Sequence, residues 1–210
     1  WGILTVVDSV SAMFGEEVRV DDFCIDLLCG GSQKAVSAPP GLTFVTISPA
    51  AWKTMKERRT PIASFYANLL AFDGYFEKQW FPYTMPISDI RGLRAAFENI
   101  QADSDMLLRH ARIARAVRTA LTSCGLRLHT RDGWSNTVSV FDVPEGTTAS
   151  AILTTLREDH NLMLAGSFDV LEGQVIRIGH MGENAREEKL AAVMKALDAV
   201  FAKLGVILNG

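Results

Sequence analysis

The sequence predicts an α/β protein made of two packing units. Its first part alternates short apolar runs with glycine-rich or polar turns, whereas the pattern from Pro86 onward is mostly helical. The chain has 210 residues, 48% of them hydrophobic, which is enough apolar material for one large domain or two small ones. Strands first and a separate α/β tail later favour two units joined by a helix.

Three apolar runs in the first part have the length of strands, at 3–7, 24–29 and 42–47. The run at 3–7 is expected to be buried, and because it begins so close to the first residue we expect an N-terminal portion to be missing. The segment 30–41 contains three glycines and two prolines, which favour a fixed loop. A short helix is expected at 49–58 and an irregular aromatic region at 65–83.

The second part is predicted to be mainly helical. Apolar residues at helical spacing predict helices at 87–100 and 103–124. Strands are expected at 137–143 and 175–178, with a helix near 149–158 between them. Asn184 is expected to open the last helix as a partial capping box with Glu187. The apolar face of that helix would cover a sheet and consists of Leu190, Val193, Leu197 and Leu204.

Charge and cysteine content narrow the class of protein. The net charge of −3 offers no general attraction to nucleic acid or to anionic membranes, so neither is expected as a partner. Cys24, Cys29 and Cys124 show no metal-ligand spacing, so no metal site is predicted. An odd number of cysteines fits a reducing compartment, and no apolar run is long enough to span a bilayer. These features predict a cytoplasmic protein.

Asp8 and Lys34 could carry chemistry together. Asp8 follows an apolar strand at its carboxyl end, where ligands bind in open α/β sheets, although a carboxylate there could simply cap the next turn. Lys34 lies in the glycine/proline loop, where Gly31 and Ser32 can bring N–H groups and a hydroxyl to a phosphate. Pyridoxal phosphate (PLP) chemistry requires such a pair: a lysine that holds the aldehyde as a Schiff base, and a carboxylate that keeps the pyridine nitrogen protonated.

Three segments around this pair resemble class V aminotransferases, in particular the alanine–glyoxylate and serine–pyruvate aminotransferases. The segments are Val7-Asp8-Ser9-Val10-Ser11, Gly31-Ser32-Gln33-Lys34-Ala35 and Ala38-Pro39-Pro40-Gly41. The later Val175-Ile176-Arg177-Ile178-Gly179 is similar to the strand that binds the substrate carboxylate in that family. The resemblance runs along the whole chain but covers only about the C-terminal half of a family member.

The resemblance implies a fold-type-I PLP transferase, of which the chain would hold the C-terminal part of the large sheet domain and a small α/β C-terminal domain. Residues 1–85 would be the second half of the PLP-binding large domain, whose N-terminal half is missing. Residues 86–102 would be a connecting helix, and residues 103–210 would be the small domain.

The resemblance also implies roles for individual residues, with pyridoxal 5'-phosphate as cofactor. Lys34 would be the Schiff-base lysine and the base that moves a proton between the substrate Cα and the cofactor. Asp8 would pair with the pyridine nitrogen, Val10 would pack against the ring, and Gln33 would reach the phosphate. Arg177 would clamp the substrate α-carboxylate with its planar fork.

A homodimer is implied as well, because family members send a tyrosine and a threonine across an interface to the neighbour's phosphate. Thr84 matches the threonine. At the tyrosine position this chain has Phe81, with Tyr83 as another source of the hydroxyl. The nearby aromatic residues could form a dimer surface or a core edge, and the match at Thr84 favours the dimer; they are Phe65, Tyr66, Phe72, Tyr75, Phe76 and Trp80.

The implied reaction transfers an amino group from a small amino acid, alanine or serine, to a 2-oxo acid, glyoxylate or pyruvate. Three alternatives stay open: a lyase or desulfurase, 2-aminophosphonate transamination, and a catalytically inactive fragment. A desulfurase needs a mobile cysteine, which neither the strand nor the helix positions of the cysteines favour. The run 31–34, Gly-Ser-Gln-Lys, favours the glyoxylate branch.

Other charged residues have simpler interpretations. Arg177 could pair with a surface acid such as Glu172 instead of a substrate. Four arginines recur at about three-residue spacing on one helix, which could form an RNA-binding stripe but on an acidic protein favours a solvated helix face; they are Arg109, Arg112, Arg115 and Arg118. His110 is expected at the edge of the core, and His180 receives no role.

Overall fold

The computed structural model describes residues 2–208 and confirms the α/β class. The chain divides into two compact units. The first contains the residues up to Val10 together with Val18–Gln101, and the second contains Ser11–Glu17 together with the residues from Ala102 onward. The chain therefore passes briefly into the second unit directly after its first strand.

The first unit contains a three-stranded mixed sheet with strands β1 (Val6–Asp8), β2 (Leu27–Gly31) and β3 (Thr43–Ile47) in that order. Strands β1 and β2 are parallel, whereas β2 and β3 are antiparallel. Because β1 and β2 run in the same direction, the residues that follow both strands lie at one edge of the sheet.

Two strand predictions for this unit need correction. The first strand begins at Val6 rather than Ile3, and both of these residues are exposed (70% and 78%) rather than buried. The second strand is displaced toward the loop, because Gly30 and Gly31 pair with residues of β3. Glycine composition alone predicts a turn there, whereas pairing with a neighbouring strand holds the two glycines extended.

Two helices complete the first unit. Helix α1 spans Pro49–Lys56 and begins at Ser48, whose hydroxyl accepts a hydrogen bond from the N–H of Ala51. Helix α2 spans Ile87–Ala102. Between them the chain is irregular apart from the 3-10 turn Leu69–Phe72, as predicted for the aromatic region.

The second unit packs helices against a two-stranded antiparallel sheet formed by β4 (Val138–Asp142) and β5 (Val175–Gly179). Its helices are α3 (Met106–Ser123), α4 (Ala149–His160) and α5 (Glu187–Lys203). Side chains from all five elements share one core, whose largest fully buried members include Phe141, Ile113, Leu121, Ile152, Leu156, Ile176 and Leu197. Among the residues that the structure describes, no helix is long and apolar enough to cross a membrane.

Two details of the helices differ from expectation. Asn184 does not cap α5, since it lies in a separate 3-10 turn and the residue before the helix, Arg186, makes no side-chain cap. Arg109 is buried rather than solvated, because its side chain pairs with Asp103 and donates to the carbonyl oxygen of Ala185. A buried arginine is stable only with such partners, and neither partner is visible in the helical spacing.

Candidate active site

Asp8 ends β1 with its carboxylate exposed. One carboxylate oxygen, Oδ1, accepts a hydrogen bond of 2.9 Å from the N–H of Val10, so Asp8 does cap the following turn. Between them, Ser9 is buried, and its N–H donates to the carbonyl oxygen of Cys29 at 2.8 Å. Within residues 2–208 the Ser9 hydroxyl has no hydrogen-bond partner. The turn thus holds Asp8 still while the second carboxylate oxygen remains available.

The loop after β2 is closed by Ser32, which is fully buried. The Ser32 hydroxyl donates to the carbonyl oxygen of Pro39 at 2.6 Å and accepts from the N–H of Leu42 at 3.3 Å. The Ser32 backbone bonds to the Leu42 carbonyl oxygen and to the N–H of Ala38, both at 3.0 Å. One serine therefore fixes both ends of the loop that carries Lys34.

Lys34 lies half-buried in this loop. Its carbonyl oxygen accepts from the N–H of Ser37 at 2.9 Å, and its ammonium group has no hydrogen-bond or ion-pair partner in the described part of the chain. The neighbouring Gln33 is exposed and folds back over Gly31, where a methyl group would lie 2.6 Å from the Gln33 Oε1 atom. Gly31 thereby leaves room for the Gln33 amide.

Four of the predicted site residues belong to the segments at the ends of two adjacent parallel strands, and so to one edge of the first sheet. Asp8 is in register with Cys29 on the parallel strand β2, and the Lys34 loop follows that strand directly. Asp8 and Val10 come from the end of β1, and Gln33 and Lys34 from the end of β2. A group with a pyridine nitrogen, an aldehyde and a phosphate fits these residues, which offer an available carboxylate oxygen, an unpaired amine and an exposed amide.

Arg177 belongs to the second unit, in the middle of β5 opposite Val140. Its N–H donates to the carbonyl oxygen of Ala165 at 2.7 Å, and its Nε donates to the carbonyl oxygen of Gly166 at 2.6 Å. The guanidinium carbon lies 5.9 Å from the centroid of the Phe168 ring. Within residues 2–208 no carboxylate lies within ion-pair distance of Arg177, so the expected alternative pair with Glu172 does not form.

Thr84 lies exposed in the irregular segment before α2. Phe81, at the position where the family has a tyrosine, is also exposed. Tyr83 instead packs within its own unit, with ring centroids 5.1 Å from Tyr66 and 5.6 Å from Phe72. Thr84 thus lies in the segment between α1 and α2, and not in the segments that follow β1 and β2.

Sequence reasoning missed a buried polar network in the second unit. His180 follows β5; its Nδ1 lies 3.2 Å from the carbonyl oxygen of Asn136 and its Nε2 lies 2.8 Å from the Ser139 hydroxyl. Burial lowers the pKa of His180 to about 4. Glu16 accepts hydrogen bonds from the backbone and side-chain nitrogens of Asn136. A histidine directly after the Arg177 strand was the one visible signal of this network.

A second buried histidine fixes the turn that follows β5. His110 is fully buried; its Nδ1 lies 2.7 Å from the carbonyl oxygen of Met106, and its Nε2 accepts from the N–H of Gly182 at 2.8 Å. Burial lowers the pKa of His110, which favours its neutral form. His110 is thus a core residue rather than the core-edge residue expected from the sequence.

Comparison with known proteins identifies the family of the chain. The family model for class-V aminotransferases matches residues 1–167. The chain is 35% identical over 204 residues to the small subunit of a soluble hydrogenase from a Synechococcus species, covering 96% of this chain and 52% of that protein. It is 34% identical over 207 residues to L-aspartate–glyoxylate aminotransferase of Paracoccus denitrificans, covering 97% of this chain and 52% of that protein.

A solved structure shows the same fold. Alanine–glyoxylate aminotransferase from a Nostoc species superposes with a TM-score of 0.91 at 28% identity, covering 95% of this chain and 54% of that one. The fold is therefore that of the fold-type-I PLP-dependent aminotransferases, as the resemblance implied. The chain belongs to the class-V aminotransferase family. It spans about half the length of the relatives that it matches.

Proposed function

We propose that the whole protein is a PLP-dependent aminotransferase that moves the amino group of alanine or serine to glyoxylate or pyruvate. The observation that carries the proposal is the edge of the first sheet, where Asp8 ends one strand with an available carboxylate oxygen and Lys34, with an unpaired amine, lies in the loop after the parallel strand β2. Membership of the class-V family supports the same reaction class.

PLP, when bound, supplies an aldehyde that an amine can capture and a protonated pyridine ring that draws electrons from the substrate. Asp8 would hold the proton at the pyridine nitrogen through its second carboxylate oxygen, with Val10 beside the ring. Gln33, already folded over Gly31, would bind the phosphate. Lys34 would hold the cofactor through Nζ, and as a free amine in the presence of substrate it would carry the proton at the substrate Cα.

Arg177 would bind the substrate carboxylate. The Arg177 Nε donates to the Gly166 carbonyl oxygen, and this bond orients the guanidinium. Both terminal nitrogens therefore remain for a two-pronged contact with a carboxylate. The absence of a protein carboxylate near Arg177 within residues 2–208 supports this role over a structural ion pair.

We also propose the domain assignment and a homodimer. Residues 1–85 would form the second half of the large domain, 86–102 the connecting helix and 103–210 the small domain. The exposure of Thr84 and of neighbouring aromatic side chains supports a partner surface, since aromatic residues are enriched at interfaces; those side chains are Phe65, Tyr66, Tyr75, Phe76, Trp80 and Phe81. Light scattering of the full-length protein should give twice the chain mass, and a monomer at micromolar concentration would contradict the dimer.

The cysteine content supports a cytoplasmic location, because Cys24, Cys29 and Cys124 are all free thiols. A desulfurase reaction is less well supported, because Cys29 lies within β2 and Cys124 lies at the end of α3; Cys24, however, lies exposed in a turn before β2 and not in the strand expected from the sequence. Aminophosphonate transamination and lyase activity remain the alternatives. Activity assays of the full-length enzyme with each candidate substrate would distinguish these reactions from alanine or serine transamination.

Covalent trapping tests the assignment of Lys34. The full-length protein would be incubated with PLP and reduced with borohydride, and its peptides would be mapped by mass spectrometry. We expect the cofactor mass on the peptide containing Lys34, and its loss in Lys34→Ala but not in Lys53→Ala, which changes an exposed lysine of α1. Labelling of another lysine in the wild-type protein, with Lys34 unmodified, would refute the assignment.

A further inference from the structure

The residues before β5 form a rigid turn around Arg177. Ala165 pairs with Arg177 as an antiparallel bridge, and the Gly166 carbonyl oxygen accepts from the Arg177 Nε at 2.6 Å. Phe168 follows two residues later, with the Arg177 guanidinium carbon 5.9 Å from the centroid of its ring. Its position is fixed by the turn Asp169–Leu171, where the N–H of Leu171 donates to the Phe168 carbonyl oxygen at 3.3 Å.

Phe168 is nevertheless 69% exposed. An aromatic side chain in the core would hide most of its surface, so this ring lies outside the core and has the Arg177 cation beside it. A carboxylate bound to the terminal nitrogens of Arg177 would therefore lie next to an exposed aromatic ring.

Apart from Arg177, the charged side chains of residues 161–179 are all acidic. Residues 161–179 contain a single cationic side chain, that of Arg177, and the carboxylates of Asp169 and Glu172. Both carboxylates are exposed, and neither is paired with Arg177. The face of an aromatic ring also carries negative charge density, so Phe168 repels an anion that approaches its face.

We propose that Phe168 is a specificity-determining residue that restricts the Arg177 site to amino acids with one carboxylate. The inference rests on the proposed function, in which Arg177 binds the substrate carboxylate. One carboxylate pairs with the guanidinium, and a small uncharged side chain such as a methyl or hydroxymethyl group packs against the ring without electrostatic repulsion. A second carboxylate meets the ring face and the acidic turn, and no further cation in residues 161–179 compensates it.

The test compares kcat/KM for L-alanine and L-aspartate, with one common 2-oxo acid acceptor, in the full-length enzyme loaded with PLP. In Phe168→Ala we expect the KM for alanine to rise about 3- to 10-fold with kcat changed less than about 2-fold, as for loss of a cation–π contact. The alanine-to-aspartate ratio of kcat/KM should fall at least about 5-fold. Asp169→Asn removes one negative charge from the turn and should therefore lower the ratio as well. The variant should keep the turn, because asparagine tolerates the left-handed backbone of Asp169 (φ 52°).

Two further variants separate this role from a structural one. Phe168→Leu keeps apolar bulk but removes the ring face, so its ratio should fall toward that of Phe168→Ala. Met163→Ala removes another exposed apolar side chain from the same segment and should leave the ratio unchanged.

An unchanged ratio in Phe168→Ala, in an enzyme that still transaminates alanine, would overturn the inference and leave the proposed function standing. Failure of the folded, PLP-loaded wild-type enzyme to transaminate either donor would overturn the proposed function, and the inference with it.

Discussion

The Nε atom of Arg177 donates a hydrogen bond of 2.6 Å to the carbonyl oxygen of Gly166. The bond connects the middle of β5 to the turn before it and fixes the plane of the guanidinium. An arginine on a strand would otherwise be free to rotate toward the nearest surface acid. Here its two terminal nitrogens stay available in a fixed direction, which is the preorganisation that binding a planar carboxylate requires.

Replacing Arg177 should weaken substrate binding in the full-length enzyme. For Arg177→Ala we expect a loss of about 1.5–3 kcal/mol, seen as a higher KM for alanine. Arg177→Lys should recover only part of the loss, because an ammonium cannot make the two-pronged contact. Steady-state kinetics at several alanine concentrations give both values. Arg157→Ala, an exposed arginine of α4, is the control, and an unchanged KM in Arg177→Ala would remove Arg177 from the site.

Replacing Ser32 should loosen the Lys34 loop. Ser32→Ala removes the hydrogen bond to the Pro39 carbonyl oxygen and the one from the Leu42 N–H, so that two partly buried hydrogen bonds at the ends of the loop are lost. We expect a loss of about 1–3 kcal/mol in the free energy of unfolding and weaker PLP binding. Urea unfolding and PLP titration measure the two effects. Ser123→Ala, at an exposed position in α3, should change neither; equal stability of both variants would contradict the role of Ser32.

Glu16 should be needed for the stability of the second unit. Its carboxylate accepts from Asn136 and, at 3.1 Å, from the hydroxyl of Ser135, which fastens the segment Ser11–Glu17 to the start of β4. Glu16→Ala should lower the free energy of unfolding by about 1.5–3 kcal/mol, the range for hydrogen bonds to a charged group. Urea unfolding measures the loss, and Glu158→Ala, which changes an exposed acid of α4, is the control. A loss below about 0.5 kcal/mol in Glu16→Ala would show that the segment is held by other contacts.

His180 should make the second unit less stable in acid. Its pKa falls from an ordinary value of 6.5 to about 4 in the folded protein, so the unfolded chain binds more protons between these values. Stability from this group is complete above pH 6.5 and decreases as the pH falls toward 4, by up to about 3 kcal/mol. The free energy of unfolding should rise with pH across this window, and the slope of this rise should be smaller in His180→Gln. The slope should persist in His160→Gln, which changes an exposed residue; an identical slope in His180→Gln would contradict the buried neutral histidine.

The fold was largely predictable because its strands and helices carry local patterns. Helices α1 to α4 lie close to their predicted positions, since apolar spacing and the Ser48 cap are local signals. The start of α5 was not predictable from its cap, because the chain makes a 3-10 turn at Asn184 first. The extension of β2 through Gly31 was missed because it depends on pairing with β3 and not on the glycine itself.

The positions of the candidate residues could be predicted where they depend on local patterns, whereas contacts between distant segments could not; the roles of these residues stay predictions. Asp8 ends β1 and Lys34 follows the end of β2 by three residues, and the parallel pairing of the two strands places both segments at the same edge of the sheet. The burial of Arg109 could not be predicted, because its partner carbonyl belongs to Ala185, 76 residues away. The contact of Arg177 with Gly166 likewise depends on a bridge between two segments that no local pattern marks.

The most direct test of the account is the visible absorbance of the full-length protein mixed with PLP, before and after addition of L-alanine. We predict a yellow band that is absent in Lys34→Ala, retained in Lys53→Ala, and bleached by alanine in the wild-type protein. Bleaching would show that the cofactor held by Lys34 accepts the amino group of a small amino acid. A wild-type protein that is folded and full-length but develops no band with PLP would contradict the central claim that Asp8 and Lys34 form a PLP site.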